Sequence, residues 1–94
     1  MFQFTVRVVL HEAEAEDYEN LHSLMEEQGF SRTIASDRGR TYHLPEAEYT
    51  CEGDRTKAEI LLMAKAAATQ TEKKYAVLVT QSDGRTWYGL EEVE

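Results

Sequence analysis

Arg32, Arg38 and Arg40 crowd one short stretch, SRTIASDRGRTYHL, and Arg85 takes the matching place in a second phrase, SDGRTWYGL. A guanidinium is a permanent cation whose planar fork can meet a phosphate with two hydrogen bonds. Tyr42 follows the first cluster, and Trp87 and Tyr88 follow Arg85, supplying rings on which nucleobases stack. Arg7, in the N-terminal segment, adds another cation. Together these residue types suit a single RNA strand, its backbone held by arginine and its bases by aromatics. The competing reading is structural: the arginines pair with some of the eighteen acidic residues, and Trp87 fills the core.

Cutting RNA requires a 2′-hydroxyl to lose a proton and a leaving oxygen to gain one. Histidine titrates near neutral pH and suits both tasks. His22 stands four residues after Tyr18 and three before Met25, at the margin of a helical apolar stripe. It is the candidate acid or base, set against a plainer role as a half-buried packing residue. His11 and His43 fall on other elements, so a three-histidine metal centre would need them to converge in the fold. No phosphate-cradling glycine loop, nucleophile elbow or histidine pair at ligand spacing occurs, and neither a metal nor a cofactor is expected. Cys51 is alone, which excludes an internal disulfide, and EYTCEGD reads as a strand in which a small thiol packs inertly.

The net charge of −8 narrows the partners. Non-specific DNA binding draws on phosphate neutralisation by Lys and Arg, and a strongly acidic domain meets repulsion instead. A local basic patch can still hold one RNA strand, with strong salt dependence. No apolar run approaches the roughly 18 residues that span a bilayer, and MFQFTVRVVL lacks the order of a signal peptide. A cytoplasmic protein without a membrane partner is expected.

The elements that must position these groups follow from periodicity. Phe2, Phe4, Val6, Val8 and Leu10 alternate with Gln3, Thr5, Arg7, Val9 and His11, which predicts a strand covered on one side. Tyr18, Leu21, His22 and Met25 then fall at helical spacing, with acidic residues at the start and Gly29 at the end. SRTIAS and TYHL read as strands about a DRGR turn, and AEYTCEG as another after Pro45. Thr56 and Glu59 stand at capping-box spacing before AEILLMAKAAA, and YAVLVT reads as a buried strand. A turn and a short final strand are expected after it.

The order is strand, helix, strand, strand, helix, strand. This predicts one α+β domain over residues 1–94, a ferredoxin-like βαββαβ sandwich. Its antiparallel sheet would carry two helices on one face and short hairpin extensions. Gly39 and Gly84 would supply the positive φ of two hairpin turns, braced by Asp37 and Asp83, which explains the echo between SDRGRTYHL and SDGRTWYGL.

The stretch LHSLMEEQGFSRTIASDRGRTYHLPEAEY, residues 21–49, carries a further signal. Its Ser-Leu-Met, then Phe30-Ser31, then Ala35, Gly39 and Leu44 at fixed spacing resemble the GhoS family. These are the antitoxin endoribonucleases of type V toxin–antitoxin systems, similar in fold to small CRISPR-associated ferredoxin-like ribonucleases. The resemblance implies cleavage of single-stranded mRNA encoding a membrane-acting toxin. His22 would serve as acid or base, and Arg32, Arg38 and Arg40 would hold phosphate, with Arg7, Tyr42 and Arg85 completing the RNA surface. His22 stands where the family pattern has arginine directly before Ser-Leu-Met. The other expectation is a non-catalytic module that docks a protein partner through its bare sheet face or a strand edge. Monomer and homodimer are both compatible with either reading.

Overall fold

The alternation at the N-terminus becomes β1 (Phe2–Leu10) in the computed structural model, which describes residues 2–94. Phe4, Val6 and Val8 are fully buried on one side of the strand, while Gln3 and Arg7 are exposed on the other. Burying each such apolar side chain contributes about 1.5–3 kcal/mol, so this face determines which side the helices cover. α1 (Ala15–Glu27) begins with the Glu14 N–H donating to Asp17 Oδ2 at 2.9 Å. It ends at Gly29, whose φ of 95° is the left-handed conformation that lets the chain leave the helix. Leu21, His22 and Met25 form its buried side.

β2 (Thr33–Ala35) and β3 (Thr41–His43) form a small antiparallel hairpin. Its turn is closed by Ser36 N–H to Arg40 O at 2.7 Å, and Gly39 takes a φ of 80°. The brace is Ser36 Oγ, which accepts from Arg40 N–H, and not the expected Asp37. β4 (Glu48–Gly53) follows, then α2 (Lys57–Thr69), then β5 (Tyr75–Ser82). The expected capping box of α2 is present: Glu59 N–H donates to Thr56 Oγ1 at 3.1 Å and Thr56 N–H to Glu59 Oε1 at 3.0 Å. Those bonds to Thr56 draw the Glu59 carboxyl below its usual pKa.

The main sheet is antiparallel with strand order β4-β1-β5. Ser31, just before β2, bridges to Thr50 of β4, so the hairpin is attached to the sheet's β4 margin. Both helices pack on the face that holds Phe4, Val6, Val8 and Tyr49. The opposite face carries Gln3, Thr5, Arg7 and Val9 bare of helices. This is the α+β, ferredoxin-like arrangement that the element order predicts.

Two local expectations change. YAVLVT reads as a buried strand, yet β5 is the sheet's outer margin, with Leu78 64% exposed. SDGRTWYGL does not fold back on β5 as a second hairpin. Arg85 instead crosses to β1, a contact between residues eighty positions apart that local turn chemistry cannot register. In place of a final strand, the chain end makes a single bridge from Glu92 to Tyr42, flanked by His43 N–H to Glu91 O and Val93 N–H to Thr41 O. No helix among the described residues is long and apolar enough to cross a membrane.

Candidate nucleic-acid interface

Period two along β4 sends Tyr49 toward the helices and Thr50 and Glu52 away from them. Thr50 Oγ1 donates to Thr33 O at 2.7 Å, and the Thr50 and Ser31 main chains exchange two hydrogen bonds of 2.8 Å. These bonds hold the hairpin beside the bare face and open a cleft of about 770 Å³. Its walls are the hairpin, with Thr33, Thr41 and Tyr42, the Gln3–Thr50–Glu52 corner of the sheet, and the segment from Gly84 to Trp87.

Arg85 and the aromatic pair give this cleft its chemistry. The guanidinium of Arg85 donates to Gln3 Oε1 at 2.9 Å and to Thr5 Oγ1 at 3.3 Å. Both acceptors are neutral, so these bonds position the charge without pairing it with a carboxylate, and among the described residues its other N–H groups have no recorded hydrogen-bond partner. The Tyr42 and Trp87 rings meet edge to face, with centroids 5.5 Å apart and planes at 64°. Such a pair contributes about 0.5–1.5 kcal/mol beyond area burial, and here it joins the hairpin to the C-terminal segment. Ser31, Thr33, Thr41 and Thr50, with the acidic residues Asp37 and Glu52, are also part of the lining. The lining is polar and aromatic, with one guanidinium and two carboxylates.

The other predicted residues lie elsewhere. Arg7 is on the bare face of β1, between Glu48 of β4 and Leu78 of β5 in register. Arg38 and Arg40 are exposed in the hairpin turn, and Arg40 faces Glu92 at 3.7 Å. Exposed pairs of that kind contribute about 0–1 kcal/mol. Arg32 lies near His22 and Tyr49, and its buried Nε has no hydrogen-bond partner among the described residues. Tyr42 and Arg85 therefore share the cleft with Trp87, while Arg7, Arg32, Arg38 and Arg40 do not line it.

His22 is 9% exposed on the helix side of the sheet. Its Nδ1 lies 2.6 Å from the Tyr49 hydroxyl, and the two rings are tilted at 59° with centroids 5.7 Å apart. Burial, then the positive charge of Arg32, lowers the His22 pKa, so the ring is held neutral. Burial pushes the Tyr49 phenol up, keeping it protonated. Among the described residues, no three His, Cys, Asp or Glu side chains are grouped to hold a metal ion. Cys51 lines the cleft, and burial raises its thiol pKa, the wrong direction for a nucleophile.

Sequence reasoning did not place Glu52 or Asp37 at this site. Period two from Thr50 would have found Glu52, since the two must share a face of β4. No local pattern announces that the hairpin brings Asp37 to the same cleft.

No curated protein matches the chain by sequence. A family model described as endoribonuclease GhoS matches residues 1–87. That span contains every residue lining the cleft and ends at Trp87, on its wall. The chain belongs to the GhoS family of endoribonucleases.

Proposed function

We propose that this GhoS-family endoribonuclease cuts single-stranded RNA seated in the cleft between the hairpin and the bare sheet face. The observation that carries the reading is the meeting of a positioned guanidinium, Arg85, with the Tyr42–Trp87 pair. A duplex hides its bases from aromatic rings, whereas an unpaired strand offers a π-face at every base. Arg85 would hold the scissile or a neighbouring phosphate, and Arg7 would continue the cationic track along β1. Arg38 and Arg40, at the hairpin tip, would meet the strand where it leaves the cleft. The biological setting is the one the family suggests, in which an antitoxin destroys a toxin's message.

Proton transfer in this reading starts from the cleft. Glu52 stands on a paired strand, a more rigid mount than the turn that carries Asp37; its carboxylate would accept the 2′-hydroxyl proton as that oxygen bonds to phosphorus, and water in the open cleft would protonate the 5′-oxygen that leaves. His22, turned to Tyr49 on the far side of β4, acts as a positioning residue, and Arg32 beside it has the same part. The ring and hydroxyl fix Tyr49, and with it the neighbouring Thr50 on the cleft wall.

The test is cleavage of matched single-stranded and duplex RNA by wild type, Glu52→Gln and His22→Asn. The expected result is cleavage of the single strand alone and a loss of roughly 10²–10⁴-fold in Glu52→Gln. His22→Asn should keep the wild-type pH–rate profile. Loss of one limb of that profile in His22→Asn, with RNA affinity retained, would return the acid–base role to His22.

A further inference from the structure

Among the described residues β5 pairs with β1 on one side only, so a row of its main-chain N–H and C=O groups faces outward. Natural edge strands are guarded by charges, proline, a bulge, shortness or a covering segment. YAVLVTQS is eight residues long and holds neither a charge nor a proline. At its centre Leu78 is 64% exposed on the bare face. A chain of net charge −8 repels its own copies, and this margin adds no charge of its own to that repulsion.

The charges at the two ends of β5 identify the occupant. Lys73 and Lys74 precede the strand and Asp83 follows it. In an antiparallel pairing of two β5 strands, residues of one sheet face must lie opposite residues of the same face. With Leu78 opposite its own mate, Ala76 meets Thr80 and Val77 meets Val79, and at both ends Lys73, in the bend before one strand, comes to the same end as Asp83, in the bend after the other. Sliding by two residues, the next shift that preserves the faces, removes the Lys73–Asp83 match. We propose that this edge is a self-association surface, and that its occupant is β5 of a second copy in the Leu78-centred register.

The assembled sheet would run β4-β1-β5-β5-β1-β4, with every helix on one side. Leu78 leaves water against its mate. Lys73, which faces Asp17 of its own chain at 3.7 Å, gains a second carboxylate. Arg7 is the register neighbour of Leu78, so the two Arg7 side chains flank the axis. Three interstrand spacings separate them, about 14 Å. The dimer thereby joins two bare faces into one surface with a cation on each side of its centre. The edge strand would pair in this way whether or not the cleft holds RNA.

Sedimentation of the full chain over a dilution series should show the mass rising from 10.8 kDa toward twice that value. Leu78→Lys sets two like charges face to face and should raise the dissociation constant at least tenfold while the circular dichroism spectrum is unchanged. Register is read by cysteine trapping in a Cys51→Ala background. Leu78→Cys should give a disulfide-linked dimer, because directly opposed Cα atoms of antiparallel strands lie about 4.5–5.5 Å apart. Thr80→Cys should not, because its mate lies four residues along the strand, about 13 Å away. A wild type that stays monomeric at every concentration overturns the proposal, and so does equal trapping at both positions.

Discussion

Arg85→Ala is expected to slow RNA cleavage by roughly 100-fold, the rate equivalent of about 2.7 kcal/mol of lost transition-state stabilisation. The side chain reaches back from beyond β5 to Gln3 and Thr5, so its position is set by the sheet and not by a mobile loop. Its removal leaves two neutral polar groups at the surface where water can replace it, and stability should change by less than about 1 kcal/mol. Arg85→Lys keeps the charge but loses the planar fork, and should retain an intermediate activity. Measuring kcat/KM on one short single-stranded RNA, with a urea melt of each variant, separates the chemical loss from any folding loss. Unchanged cleavage in Arg85→Ala would remove the phosphate from this part of the molecule.

Tyr49→Ala is expected to cost about 3–5 kcal/mol, because a fully buried aromatic ring in the centre of the core leaves a cavity. In a domain of 94 residues that is a large share of the total. Tyr49→Phe keeps the ring and removes the hydroxyl that faces His22 Nδ1 at 2.6 Å. The buried nitrogen then lacks a partner, at a cost of about 1–3 kcal/mol. The pH dependence follows from the same pair. His22 has its folded pKa lowered from 6.5, chiefly by burial, so the folded state refuses a proton that the unfolded chain accepts. Its stabilising contribution is complete above pH 6.5 and is lost as the pH falls from there through the lowered folded value. His22→Gln should flatten this part of the stability curve. Urea titrations of wild type and variant between neutral and mildly acid pH would show it, and identical slopes would contradict the buried neutral ring.

Much of the fold was legible because its main signals are local. The alternation in FQFTVRVVL, the Tyr18–Met25 stripe and the Thr56–Glu59 cap each depend on neighbours a few residues apart. YAVLVT misled for a physical reason: an unbroken apolar run fits a central strand and an unguarded edge equally well, and only pairing partners distinguish them. The echoed phrases misled in the same way. Their glycines both adopt positive φ, yet one closes a hairpin and the other lets Arg85 turn back to β1.

The site was less legible than the fold. Arginine and aromatic types pointed toward RNA, but their sequence clustering did not foretell which would share a cleft. Arg32 is separated from Thr33 by one position, and the pleat sends them to opposite sides of the sheet. Tyr42 and Trp87 are far apart in the chain and meet only because the C-terminal segment returns to the hairpin. His22 was recognisable as a residue of the helix's inner margin, whereas its partner Tyr49 is a contact that no spacing rule predicts.

The location of bound RNA tests the account most directly. A short 2′-O-methyl oligonucleotide lacks the free 2′-hydroxyl needed for attack and can be titrated into isotope-labelled protein without being cut. Amide shifts at low salt should gather on Ser31, Thr33, Tyr42, Thr50, Glu52, Arg85 and Trp87, and fade as salt rises. Shifts gathered instead on the outer surfaces of α1 and α2, with those residues unmoved, would contradict a cleft opposite the helices as the seat of the RNA.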